Sequence, residues 1–148
     1  MKYASLAVLM LLAACETIPT SGGASPPAPS SSIPSTQLEL GDYRTAPPAQ
    51  VLAAFEQTVS QRYGSGLAIT AVSADLRRNE FSCAAAPGLD NGRGAPPVQV
   101  CRRTVTVSNC THTWQVHLFG DAGNARLDHT RGLYDRRCGN DGLLGGPG

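Results

Sequence analysis

The hydrophobic period of this chain changes once, near residues 64–66, and that change limits what the sequence can fold into. Before it, Val51, Leu52, Phe55 and Val59 recur at three- and four-residue steps, and Tyr63 continues the row. Glu56, Gln57, Ser60 and Gln61 take the other side, which is the pattern of an amphipathic helix. Thr45 suits the N-cap, Pro47 and Pro48 fall in the first turn, and Gly64 suits the C-cap. After Gly66 the period is two. Residues 67–76 read as a first strand, continued past Arg77 and Arg78 toward Cys83 as a second. Residues 98–107 and 113–119 are the clearest strands, and the turn at 120–124 leads into another at 125–130. Residues 84–97 hold Pro-Gly, Asn-Gly and Pro-Pro pairs and should form an exposed loop. A helix followed by antiparallel strands predicts an α+β domain: one N-terminal amphipathic helix packed on an antiparallel sheet of about four strands. Trp114, Val116 and Leu118 share a strand side with Cys110, as Val105 and Val107 do with Cys101. Those sides should meet the Phe55 row.

The start of the chain carries a different signal. Met1-Lys2 is a minimal positive head, and residues 3–14 are an apolar run ending in Leu12-Ala13-Ala14-Cys15. A spanning helix needs roughly 20 apolar residues, so this run is too short to cross a bilayer and stay there. The pattern of a Leu, two small residues and a Cys resembles the bacterial lipoprotein signal. The resemblance covers the first fifteen residues. It implies that residues 1–14 are removed and that the Cys15 sulfur carries a diacylglycerol, with the new amino group acylated as well. Two chains give stable anchoring, at about 0.8 kcal/mol per buried methylene. In this class Asp after the Cys holds a lipoprotein in the inner membrane. Glu16 stands there instead, which implies the outer membrane, with the domain facing the periplasm and the cell surface as the alternative.

With Cys15 set aside, Cys83, Cys101, Cys110 and Cys138 remain, and an even number in an exported chain predicts two disulfides. Cys101 and Cys110 flank a hairpin at offset positions and cannot easily meet. Cys83–Cys101 with Cys110–Cys138 closes the loop at 84–97 and ties down the C-terminal segment. Cys83–Cys110 with Cys101–Cys138 is the alternative.

Residues 15–41 are expected to be the anchor and a spacer, because 16–40 are rich in Pro, Ser, Gly, Ala and Thr and hold too little apolar surface to order. A coil of that length spans about 25–30 Å. The α+β domain is placed at 42–138 and a Gly-rich tail at 139–148. Eleven arginines balance eleven acidic residues after Lys2, so no overall charge recruits nucleic acid. The balance is −3 over 16–76 and +4 over 77–138. A basic C-terminal half of that kind suits lipid head groups or an acidic partner, but solvated arginines on strands are the favoured reading.

No residues form a convincing catalytic or metal set, and no cofactor is expected. His112 and His117 are five apart and face opposite ways on one strand. Cys110, His112 and Cys138 could ligate zinc only as reduced thiols. Asp128 and His129 are neighbours, and strand neighbours point to opposite faces, which argues against a hydrolytic pair. Gly64-Ser65-Gly66 lacks the second spacer of a nucleophile elbow. The sequon at Asn109 is ordinarily unused in bacteria. Arg77, Arg78, Arg102 and Arg103 are candidate anion contacts, the Arg136–Arg137 pair being of the same kind, because a pair on a strand puts one guanidinium on each face. Charge guarding a sheet edge, or plain exposure, is the favoured reading of such pairs. The expected function is a non-catalytic accessory or interaction subunit of a cell-envelope assembly. It would be held to the membrane through Cys15 and contact an envelope protein or polymer. An inhibitor of a lysozyme-like or proteolytic enzyme is the second reading, and a small envelope enzyme the third.

Overall fold

In the computed structural model, the described residues are 32–87 and 94–139. The signal segment, Cys15 and most of the spacer lie outside them, as do 88–93 of the loop and the tail beyond 139. The elements are α1 (Pro48–Arg62), α2 (Ile69–Arg78), β1 (Ser82–Ala85), β2 (Gln99–Val107), β3 (Cys110–Gly120) and β4 (Leu127–Cys138). The four strands form one antiparallel sheet in the order β1-β2-β3-β4.

Two expectations about the helices are overturned. The single N-terminal helix is replaced by two helices, and both lie in the middle of the chain. Residues 67–76, expected as a strand, supply most of α2. Ile69, Val72, Ser73, Asp75 and Leu76 are its buried residues, and Ile69, Val72 and Leu76 stand at three- and four-residue steps. A short apolar run bounded by turn residues fits either period. Arg77 and Arg78 in its last turn complement the helix dipole, a placement the strand reading missed. In α1 the N-cap is Pro47, with no side-chain cap, and Thr45 instead bonds to Asp42. Its C-cap is Tyr63, one residue before the glycine expected there.

β3 and β4 are longer than the alternation suggested. β3 begins at Cys110 and β4 ends at Cys138: Val107 pairs with Cys110 around a turn at Ser108 (φ +54°), and Cys110 pairs with Cys138. The disulfides join Cys83 to Cys101 and Cys110 to Cys138, each between residues directly opposite on neighbouring strands.

The core lies between the helices and one face of the sheet. Phe55, Val59, Val72 and Leu76 pack with Phe81, Trp114, Val116 and Leu118, all with at most 3% of their surface exposed. α1 comes closest over β4 at Gly132, where an added Cβ would lie 3.1 Å from Phe55 Cδ1 and 3.2 Å from the Glu56 Cα. Any side chain there would require Phe55 and the α1 backbone to give way slightly.

The end of the expected spacer is part of this core. Leu38 is buried, and Ile33 and Leu40 pack against the cluster. Leu38 N–H donates to Asn79 Oδ1 at 2.7 Å, and the Trp114 indole N–H donates to the Leu40 carbonyl at 3.2 Å. The composition of 16–40 as a whole hides three apolar residues gathered at its end.

A buried carboxylate joins these layers. Asp75 accepts hydrogen bonds from Arg62 Nε at 2.8 Å and from the Tyr63 hydroxyl at 2.7 Å, and it also pairs with Arg78. Arg62 Nη2 continues to the carbonyls of Pro34 and Thr36, at 2.9 and 2.7 Å. Burial alone would raise the Asp75 pKa, but the Arg62 and Tyr63 hydrogen bonds hold it below its ordinary value. Replacing Asp75 by Asn should cost about 3 kcal/mol or more, because the Arg62 charge is left buried without a counterion. Urea unfolding of both forms measures this, and an unchanged midpoint would contradict it.

Candidate functional site

With both helices on one side, the opposite face of the sheet is uncovered among the described residues. The alternation that buries Cys101, Trp114, Val116 and Leu118 turns Val100, Arg102, Gln115, His117 and Phe119 outward. Threonines 104, 106, 111 and 113 occupy the end near the β2–β3 turn. Toward the other end the register places Arg102 opposite Gln115, and Val100 and Arg131 on either side of His117. A shallow depression runs over Ser82, Ala84, Val100, Arg102, Gln115 and His117. The His117 Nε2–H donates to Gln115 Oε1 at 3.4 Å, so the Gln115 amide nitrogen is left to other partners. Burial, then the charges of Arg131 and Arg102, hold the His117 pKa below its ordinary value.

The four arginines singled out in the sequence separate in space. Arg77 and Arg78 sit on the last turn of α2, and Arg78 is tied to Asp75. Arg103 faces the helices, pairs with Glu80 and donates to the Asn79 carbonyl at 3.1 Å. Arg102 alone of the four reaches the open face. The sequence reading did not join it to Gln115, His117 and Arg131. Only the β2–β3–β4 register does so, and no spacing within the chain reveals that register.

The histidines also separate. His112 lies on the helix side, 3% exposed, and shares a hydrogen bond of 2.7 Å with the Tyr134 hydroxyl. Tyr43 meets His112 and Trp114 edge-on, at 5.0 and 4.9 Å between ring centres. His129 lies on the open side, stacked on Phe119 at 4.3 Å.

One expectation about His129 is corrected. Its Nδ1 is 2.7 Å from Asp128 Oδ2. The register moves from Phe119–His129 to Gly120–Leu127, which leaves Asp128 unpaired in a β-bulge and re-aims its side chain. The pair is exposed, and no hydroxyl among the described residues is bonded to His129. It lines a depression with Phe119, Thr130 and Arg131. No group of three or more potential metal ligands occurs among the described residues, and the cysteines of the zinc reading are bridged.

No family model, curated protein or solved structure matches this chain.

His112 makes stability depend on pH. Burial, followed by the charge of Arg136, lowers its pKa from 6.5. A base lowered on folding contributes stability that is full above its unfolded value and is lost as the pH falls toward the folded one. His117 acts in the same direction. The melting temperature should therefore drop between about pH 7 and about pH 5, and the drop should shrink in His112→Gln. Equal acid slopes in the two proteins would contradict this assignment.

Proposed function

We propose that this protein is an outer-membrane lipoprotein, anchored through Cys15, that acts as a non-catalytic interaction subunit of a cell-envelope assembly. Four observations support the reading. The Leu12–Cys15 pattern supplies the lipid attachment, and Glu16 favours the outer membrane. No described helix is long and apolar enough to cross a membrane, so attachment in this reading falls to the lipid. The Pro/Ser-rich composition after Cys15 supports a spacer between the lipid and the domain. The open sheet face carries the proposal furthest: it offers polar, cationic and aromatic side chains along three neighbouring strands and is free to meet an envelope protein or polymer.

The Cys83–Cys101 bridge favours the inhibitor as the second reading. It pins the base of the loop at 84–97, and a loop offered to an enzyme's cleft needs such a base.

Both parts of the leading proposal can be tested in cells. Wild-type protein should incorporate labelled fatty acid and fractionate with the outer membrane. Cys15→Ser should incorporate none and remain unprocessed or soluble. Label in that variant, or wild-type protein mainly in the inner membrane, would overturn the anchor. A photo-crosslinking residue at Thr113 or Gln115 should capture one recurrent partner, and one at Gln57 on the exposed side of α1 should not. Equal capture from both sides would remove the open face from the proposal.

A further inference from the structure

We propose that Arg102, Gln115, His117 and Arg131 form a binding site for a tetrahedral oxyanion, of the kind carried by a phosphate ester. The site rests on the reading of the open face as the contact surface and gives that contact a chemistry.

The four residues occupy one cell of the sheet. Arg102 and Gln115 are directly opposite on β2 and β3, and His117 and Arg131 are opposite on β3 and β4, two residues further along β3. Strand neighbours stand about 4.8 Å apart, and residues two apart on one face about 6.8 Å. The two guanidinium stems therefore rise from opposite corners, about 12 Å apart by those spacings. Each arginine side chain is long enough to lean over the Gln115 and His117 pair between them.

The charges around this cell are unbalanced. Of the carboxylates near this cell, Asp135 pairs with Arg137 Nε at 3.0 Å, Asp128 is hydrogen-bonded to His129 at 2.7 Å, and Asp121, in the depression that Arg131 also lines, accepts from the Arg126 backbone N–H at 3.4 Å. Arg103, one residue from Arg102, is held on the far side by Glu80. Among the described residues neither Arg102 nor Arg131 has an ion-pair partner. Two unpaired guanidiniums thus flank an imidazole whose Nε2–H is turned toward Gln115.

The donors also come from more than one direction. The two arginine stems rise on either side of Gln115 and His117, so their guanidiniums can reach a ligand from two sides while the Gln115 amide and a protonated His117 meet it from the sheet below. A planar carboxylate uses donors lying in one plane, whereas a tetrahedral group accepts from several. Solvent-exposed arginines would each meet water if the face were inert. Here the register sets both arginines beside one histidine close enough for their charges to act on it, and neither has an ion-pair partner among the described residues, which is what points to a ligand.

The test uses the folded domain with its disulfides intact and follows the His117 imidazole by NMR as the pH is changed. Inorganic phosphate should raise the His117 midpoint by about one pH unit, because an anion held beside the ring favours its charged form. Sodium chloride at the same ionic strength should not. The Arg102→Gln, Arg131→Gln double variant should lose the phosphate effect while its melting temperature stays close to wild type. His129 lies on the same face outside the cell and should not follow His117. Vesicles of phosphatidylglycerol shifting His117, with phosphatidylcholine vesicles inert, would identify the source as a lipid head group. A shift with inorganic phosphate alone would identify a soluble phosphate.

An equal shift with acetate, an equal shift in the double variant, or no shift with either phosphate source would overturn the site. The crosslinking outcome is separate. Capture from Thr113 without a phosphate response would leave the interaction reading standing and remove this site.

Discussion

The Asp75 carboxylate, 1% exposed, is the point at which three parts of the chain are joined. Arg62 and Tyr63 bring the end of α1 to it, and Arg78 brings the end of α2. Through Arg62 the carbonyls of Pro34 and Thr36 are tied to the same group. A buried ion is costly unless its lone pairs are satisfied, and here three donors satisfy them. The arrangement fixes the angle between the helices. Which sheet face the helices cover follows from the strand alternation that presents Cys101, Trp114, Val116 and Leu118 to them. Burial and the hydrogen bond to Asp75 also push the Tyr63 hydroxyl well above its ordinary pKa, so it stays a donor throughout the physiological range.

Second to this comes the close packing of α1 on β4 at Gly132. The helix axis can approach the sheet there because no side chain intervenes. Phe55 lies against that glycine and stacks toward Phe81 at 6.4 Å between ring centres. The contact brings α1 over an edge strand, and Trp114 and Val116 are buried beneath the same layer. The aromatic group of Tyr43, His112, Trp114 and Tyr134 closes the end of the core beyond the helix.

Much of the architecture was legible in the residues and some of it was not. The alternation of Trp114, Val116 and Leu118 marked the buried side of β3, and the Val51–Phe55–Val59 row marked the buried side of α1. Residues 69–76 misled because a short apolar run bounded by turn residues was read as a strand, although Ile69, Val72 and Leu76 stand three and four apart, the spacing of a helix face. Leu38 was hidden in a window dominated by Pro and Ser. Asp128 and His129 were separated by a rule that holds for regular strands and fails at a bulge. The grouping of Arg102, His117 and Arg131 was out of reach for a more basic reason. Cross-strand neighbours are set by register, and register is decided by the core and the turns, far from the side chains it brings together.

Both disulfides run between adjacent strands, so neither crosses from the sheet to the helices. The covalent reinforcement is therefore confined to one layer, and the molecule is mechanically uneven. A pull on the chain ahead of Ile33 would load the Leu38 bond to Asn79 and the Arg62 bonds to Pro34 and Thr36 first. Those contacts would part as a zipper, leaving the bridged sheet unstrained. The segment at 33–40 would thus yield before the bridged sheet does.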